Sequence, residues 1–354
     1  MPSAKPYRIA IVGASSLAGK ELADTLAESS LAAADIVLLD DEDLAGQITA
    51  AGDEATFIQK IDADSFAAAD FVFFAGDPAT TTKYWKAARL AGASIIDMTN
   101  ALETEPGVVV RGPWAQPTAE SPTQTSPQTH EPDLTTPAVV AAHPAALMLL
   151  LVARRLHAKL PLQAISATVL EPASQHGRAA MDELHQQTVA LLSFQTLPRQ
   201  QYDAQVAFNV LPSLGDAAKI DLAATRTRIL TQYAALSAGS APELALQLAQ
   251  APVFHGYVAS VLVELQSPAT TAQIEGALHG ESVDIVGPES DPPSNISAAG
   301  QPDILTSVRS TAPSEDPSTR FWLWLAADNL KLSALNAIAC ANELRRLRPQ
   351  GKVQ

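Results

Sequence analysis

The sequence has one cysteine, Cys340, in 354 residues. It can build no internal disulfide framework and suits a reducing compartment. Basic residues are few, 23 Lys and Arg against 38 Asp and Glu, and the net charge is −15. Binding a phosphate backbone needs clustered cations, so nucleic acid is not an expected partner. Long apolar runs are also missing. The longest, Ala145 to Ala153, is far too short to cross a bilayer. The opening MPSAKPYRIAIVGASS enters a strand without the apolar core of a signal peptide. The expectation is a cytoplasmic protein without membrane contact. With 47% hydrophobic and 17% charged residues, the chain has enough apolar material for two domains with separate cores.

What is present begins with an alternating β/α pattern. Tyr7 to Val12 is apolar throughout, as in a parallel strand buried on both faces. Gly13-Ala-Ser-Ser-Leu-Ala-Gly19 follows, then an amphipathic helix from Lys20 to Ser29. Strand, glycine turn and helix open a dinucleotide-binding unit, in which pyrophosphate sits on the helix N-terminus. Gly13, Ser15, Ser16, Leu17 and Gly19 are the candidate contacts, although Ser16 takes the place of a middle glycine. A ligand-free tight turn would leave the same trace. The second strand, Asp35 to Leu39, runs into Asp40-Asp41-Glu42-Asp43. Such a terminus can bond a ribose hydroxyl, whereas four carboxylates repel a 2′-phosphate. NAD is therefore compatible and NADP disfavoured, and a plain solvated acidic loop is an equal reading. Further strands at Phe71 to Ala75 and Ser94 to Asp97 flank a helix from Thr80 to Leu90. From Arg111 to Thr136 proline, Ser, Thr and Gln dominate, which reads as a surface insertion.

The stretch that organises the chain is Val139 to His157, VVAAHPAALMLLLVARRLH. It reads as a strand end, a proline and a long apolar helix, closed by Arg154, Arg155 and His157. Small residues at the first turn of such a helix leave backbone N–H groups and the positive dipole end open to a nucleophile or an anion. Here that turn holds Ala145, Ala146 and Leu147. The remainder reads as a strand from Ala164 to Leu170, the polar turn Glu171 to Gly177 and a helix from Arg178 to Leu192. Helical tendency follows from Thr225 to Gln247, then a strand pair at Pro252 to Val258 and Ala259 to Leu265. A Pro/Ser-rich loop spans Gly287 to Pro317, before a strand at Phe321 to Ala326 and a helix from Leu330 to Arg348.

Several stretches resemble the aspartate-semialdehyde dehydrogenase family. They are Ala180-Met-Asp-Glu-Leu-His-Gln-Gln-Thr188, Val206-Ala-Phe-Asn-Val-Leu-Pro212, Pro252-Val-Phe-His-Gly256, Ala327-Asp-Asn-Leu-Lys331 and Ala334-Leu-Asn-Ala337. The glycine turn and Ser94-Ile-Ile-Asp-Met-Thr-Asn-Ala101 resemble it as well. The resemblance implies an α/β fold: a Rossmann-type domain over 1–140, an α+β dimerisation and substrate domain with a mixed sheet over 141–325, and a C-terminal helix over 326–354 returning to the first. It implies a homodimer, and it adds Ser174, Gly177 and Asn329 to the cofactor contacts. Family chemistry runs through a cysteine thiolate that attacks an aldehyde, a histidine acid/base and an arginine that grips the substrate carboxylate; hydride passes to NADP, and phosphate releases the acyl group. Each part has a physical reason: a polarizable nucleophile, a base beside the hemithioacetal hydroxyl, and a bidentate carboxylate clamp.

This sequence departs from the family at each of those places. Asn-Pro-Asn-Cys-Ser becomes His143-Pro144-Ala145-Ala146-Leu147, so Ala146 stands for the nucleophile. Gln250 and Tyr257 stand for the arginine and the histidine, Glu103 for a phosphate-binding arginine, and Asp43 for a 2′-phosphate arginine. Cys340 falls inside the last helix. The expectation is a non-catalytic paralogue: a scaffold or ligand-binding dimer, or a regulatory partner of an active enzyme. The alternatives are an active NAD(P)-dependent semialdehyde oxidoreductase of amino-acid biosynthesis, and altered chemistry using His143, His176 and His255. On the mapping these three fall near one cleft, with His255 on the strand face of Tyr257. No metal is expected.

Overall fold

The computed structural model describes residues 6–51, 54–115, 131–311 and 317–347. It divides into two compact units, Met1–Ala142 with Ser333–Gln354, and His143–Leu332.

The first unit carries β1 (Arg8–Val12), α1 (Leu17–Ala27), β2 (Asp35–Asp40), β3 (Ile48–Ala51), β4 (Glu54–Phe57), β5 (Gln59–Lys60), β6 (Phe71–Phe74), α2 (Pro78–Leu90), β7 (Ser94–Asp97), β8 (Val109–Arg111) and β9 (Val139–Ala141). Seven strands form one sheet in the order β5-β2-β1-β6-β7-β9-β8, and every pairing in it is parallel. The central strands are buried on both faces, which is why they read as unbroken apolar runs. Ile9, Ile11, Phe71 and Phe73 pack with Leu22 and Leu26 of α1 and with Ala337, Ile338 and Ala341. Ala10, Val12, Val72 and Phe74 pack on the other face with Trp85 and Ala88 of α2. This is a doubly wound Rossmann-like layer. The hairpin β3–β4 stands apart as a two-stranded sheet.

The second unit carries α3 (Pro144–Lys159), β10 (Leu162–Glu171), α4 (Arg178–Leu192), α5 (Leu222–Ser237), β11 (Leu244–Gln250), β12 (Tyr257–Ala269), α6 (Thr271–Leu278), β13 (Val283–Ile285), β14 (Ile304–Ser310) and β15 (Ser318–Ala327). Its six-stranded sheet has the order β11-β10-β12-β15-β14-β13. It is mixed, with β10–β11 and β13–β14 parallel and the other pairings antiparallel. Helix α3 is buried from Pro144 to Ala153 on every side, which explains why its sequence shows no polar face. It packs against β10, α5 and α6. The last helix, α7 (Asn329–Leu347), starts in this unit and from Ser333 belongs to the first.

Several expectations are corrected. The helical tendency from Thr225 to Gln247 resolves into α5 and the strand β11. Helix α5 stops because Ala238 adopts a left-handed φ of 44° and Gly239 one of 82°. Residues 252–256 are a turn rather than a strand partner of β12, with Gly256 at φ 83°. His255 thus shares no strand with Tyr257. The Gly287 to Pro317 loop contains β14. Arg111, placed in the insertion, is the buried end of β8. Residues 116–130 of that insertion lie outside the described residues, as do the ends of the chain. No described helix is long and apolar enough to cross a membrane.

Candidate functional site

In the first unit the glycine turn is closed by its own groups. The amides of Gly13 and Ala14 donate to the carbonyl of Leu39 at 2.9 and 3.2 Å. Gly13 sits at φ +80°, and a Cβ there would lie 2.3 Å from the backbone of Gly76. A Cβ on Gly19 would lie 2.2 Å from the carbonyl oxygen of Gly13. Both glycines are therefore needed to bring β1, α1 and the end of β6 together, whatever ligand is bound. Ser16 caps α1. Its Oγ accepts from Gly19 N at 2.9 Å and donates to the Ala75 carbonyl at 2.8 Å. The Ser15 amide donates to Asp40 Oδ2 at 2.8 Å, so the buried acid ending β2 is tied back to the turn. Beyond it Asp43 is exposed, and Lys60 pairs with Glu42 at 2.7 Å. Glu103 lies in the turn after β7, where Asp97 accepts from the amides of Thr99 and Leu102. Burial, with Glu103 adding its charge, raises the Asp97 carboxyl above its usual range.

The second unit holds a more unusual arrangement. Glu171 ends β10 in register with Gln250, the last residue of β11. Leu170 pairs with Val258, which places Tyr257, the first residue of β12, beside Glu171. Gln250, Glu171 and Tyr257 thus form one rung across three strands on the sheet face that carries the core. All three are buried. The Gln250 amide nitrogen donates to the carbonyls of Glu171 and Ala251, both at 3.0 Å. His176, in the helical turn Ala173–His176, brings Nε2 to 3.1 Å from Glu171 Oε1. That distance suits an ion pair, but the two groups are not aligned as a hydrogen bond.

His143 is the N-cap of α3 and lies 6.2 Å from Tyr257 between ring centroids. A chain of amides fixes its surroundings. Gly256 N donates to Asn329 Oδ1 at 3.1 Å, Asn329 Nδ2 to Gln175 Oε1 at 3.3 Å, and Gln175 Nε2 approaches His143 Nε2 at 3.2 Å. Because a backbone amide can only donate, each side-chain amide in this relay has one orientation. The relay thus turns an N–H of Gln175 toward His143 Nε2. On the other side Ala145 N points at Nδ1 from 3.3 Å. Both ring nitrogens face N–H donors, an arrangement that disfavours the imidazolium. Burial is the main cause of the shift: it takes the pKa down to about 4, with Glu171 pulling it up and Arg228 and His176 pushing it down. His143 is therefore neutral and cannot serve as an acid near pH 7.

The remaining candidates fall as follows. Ala146 is fully buried in the first turn of α3. Tyr257 is held as a phenol, burial and Glu171 raising it well above its ordinary value. Ser174 Oγ donates to Asn329 Oδ1 at 3.1 Å. Asn329 has both ends of its amide engaged inside the unit. Gly177 takes φ +81°, with open space where a Cβ would stand. His255 offers its carbonyl to Asn295 Nδ2 at 3.2 Å. Among the described residues no group of three His, Cys, Asp or Glu side chains has metal-holding geometry. Cys340 lies in the first unit on α7, fully buried with its Sγ 3.9 Å from the Arg111 carbonyl. Burial pushes its thiol up, away from the thiolate. Sequence reasoning did not single out Glu171 or Gln175. Glu171 had a signal, since it shares the parity of the inward-facing Ile165, Ala167 and Val169.

A parallel dinucleotide-type layer and a mixed sheet ending in this rung define a semialdehyde-dehydrogenase architecture. Residues 8–132 match the family model for the semialdehyde dehydrogenase NAD-binding domain, and residues 154–332 match its dimerisation domain. The chain belongs to the semialdehyde dehydrogenase family. A USG-1 protein homolog of Pseudomonas aeruginosa is 29% identical, covering 94% of this chain and 96% of its own. An aspartate-semialdehyde dehydrogenase of Rickettsia typhi is 25% identical, covering 96% and 98%. Among solved structures, a probable aspartate-semialdehyde dehydrogenase from P. aeruginosa superposes with a TM-score of 0.81 at 27% identity, covering 97% of this chain and 99% of that one. The Vibrio cholerae aspartate semialdehyde dehydrogenase II, at 20% identity and a TM-score of 0.80, covers 97% of this chain and 99% of that one and shares the fold.

Proposed function

We propose that this chain is a non-catalytic, ligand-binding member of its family that forms a homodimer. The observation that carries this reading is that the first turn of α3, where the resemblance implies a nucleophile, holds the buried Ala146. Thioester chemistry needs a thiolate there, and the one sulfhydryl of the chain is locked inside α7. Tyr257 retains its proton where a base would be required, and Gln250 carries no charge to clamp a carboxylate. The histidine route has little support, because N–H groups of Ala145 and Gln175 already face both ring nitrogens of His143. A homodimer is favoured by the match of the second unit to a dimerisation domain.

NAD fits the first unit in outline. Gly13, Ser15, Ser16, Leu17 and Gly19 would face its pyrophosphate at the head of α1. NAD supplies a hydride acceptor when bound. The acidic end of β2 argues against a 2′-phosphate, so NAD is expected to bind at least tenfold more tightly than NADP in a fluorescence titration.

The decisive experiment is turnover of aspartate semialdehyde with NAD or NADP and phosphate. The wild-type chain is expected to give no rate above background. The variant Ala146→Cys with Tyr257→His is expected to recover no more than a trace, because Gln250 and Glu103 remain. Wild-type turnover at a dehydrogenase-like rate would overturn the reading.

A further inference from the structure

Five buried polar atoms around the rung make no hydrogen bond: Glu171 Oε1 and Oε2, Gln250 Oε1, Tyr257 Oη and His176 Nε2, of which Glu171 Oε1 and His176 Nε2 stand 3.1 Å apart. Among the described residues, the other buried side-chain atom in this condition is the indole nitrogen of Trp85, in the first unit. Polar groups left unpaired in an interior cost stability, and a concentration of them at one place calls for a ligand that completes them. The chemistry of the set says what kind. The Gln250 amide cannot be turned around, because its nitrogen already serves two carbonyls. What it presents to the cluster is therefore an acceptor. Beside it are both oxygens of a carboxylate. Three of the five atoms can only accept, and the phenol and the imidazole can act either way.

From this we infer that the cluster is a binding site for the primary ammonium group of a small molecule, with Glu171 supplying the countercharge. The inference rests on the reading of this chain as a ligand-binding protein and names the chemical class of its ligand. An ammonium carries three donors and one positive charge. Glu171 Oε2, Gln250 Oε1 and the Tyr257 hydroxyl are the three acceptors, while Glu171 Oε1 faces His176. A carboxylate in the same place would meet Glu171 and an amide oxygen head-on. The change at residue 250 and the acid at residue 171 thus act together: the site has exchanged a preference for anions for one for cations.

Three probes of one size test the head group. Propylammonium chloride, sodium propionate and propionamide would be titrated into the full-length protein by calorimetry at equal ionic strength. Propylammonium is expected to bind at least tenfold more tightly than either of the others. Glu171→Gln, which keeps the shape and removes the charge, is expected to erase that preference. Gln250→Arg is expected to abolish propylammonium binding, since the new guanidinium pairs with Glu171. Equal affinity for all three probes, no binding of any, or a preference that survives in Glu171→Gln would each overturn the proposal. Should a variant fail to fold, as judged by its thermal transition, the wild-type ranking decides alone. Failure here leaves the non-catalytic reading standing, because that reading is tested by semialdehyde turnover; turnover, in turn, would not alter the probe ranking.

Discussion

At His143 burial and hydrogen-bond direction act in the same sense, and the consequence can be measured as a dependence of stability on pH. The imidazole has its pKa lowered from 6.5 to about 4 in the fold. In the unfolded chain it takes a proton as the pH drops through about 6.5, while the folded chain resists until about 4. Its contribution is therefore fully present above the unfolded value and is lost as the pH falls between the two. The loss approaches ~3 kcal/mol if the whole difference is realised. Denaturant titrations between these two pH values should show the slope, and His143→Asn should flatten it. A slope unchanged in that variant would assign the effect to other groups. A second residue-level prediction concerns Gly13. An alanine there would strain a left-handed backbone and drive its Cβ into Gly76. Gly13→Ala is expected to destabilise the protein by about 2 kcal/mol or more, read as a lower denaturation midpoint.

Among the elements, β8 and the helix α7 are joined by a buried ion pair. Arg111 is 1% exposed, and its Nε donates to Glu343 Oε2 at 2.9 Å, with a second contact from its terminal nitrogen to Oε1. The carbonyl of Arg111 also accepts from Asn336 Nδ2 at 3.1 Å. Removing one charge strands the other in the interior, so Glu343→Gln should cost about 3–5 kcal/mol, whereas Arg111→Met with Glu343→Leu should come close to neutral. Neither partner was legible in the sequence, because Arg111 opened a proline-rich stretch and Glu343 looked like one charge on a helix face. The first unit was otherwise easy to read. Its central strands are buried on both sides and flanked by clear turns, so pattern and structure coincide at β1, β2, β6, α2 and β7, whereas the short strands β3 to β5 left no such pattern. The second unit was harder for a physical reason. The segment LALQLAQ of β11 consists of good helix formers, and only its place beside β10 makes it a strand. The β14 strand was masked by prolines on either side. The rung itself depends on register between residues about eighty apart, which no local pattern encodes.

At the scale of the whole molecule, the mixed sheet has one face covered by α3, α5 and α6, and on the other Ala298 packs with Val258 and Ala326. On that second face Trp322 and Trp324 of β15 are still 44% and 41% exposed, in register with Leu262 and Ser260 of β12. If this is the surface that meets a second copy, Trp322→Asp should convert a dimer to a monomer in light scattering while leaving the far-UV spectrum intact; a dimer that persists would place the interface elsewhere. The path of α7 bears on how the molecule is made. Arg111 is synthesised more than two hundred residues before Glu343, so a growing chain on the ribosome must hold a cation without its counter-ion until that glutamate is made. A premature stop between Leu332 and that glutamate would therefore release a product whose second unit has every residue it needs, joined to a nucleotide-type layer still missing most of α7, and quality control should recognise such fragments by their opening layer rather than by their centre.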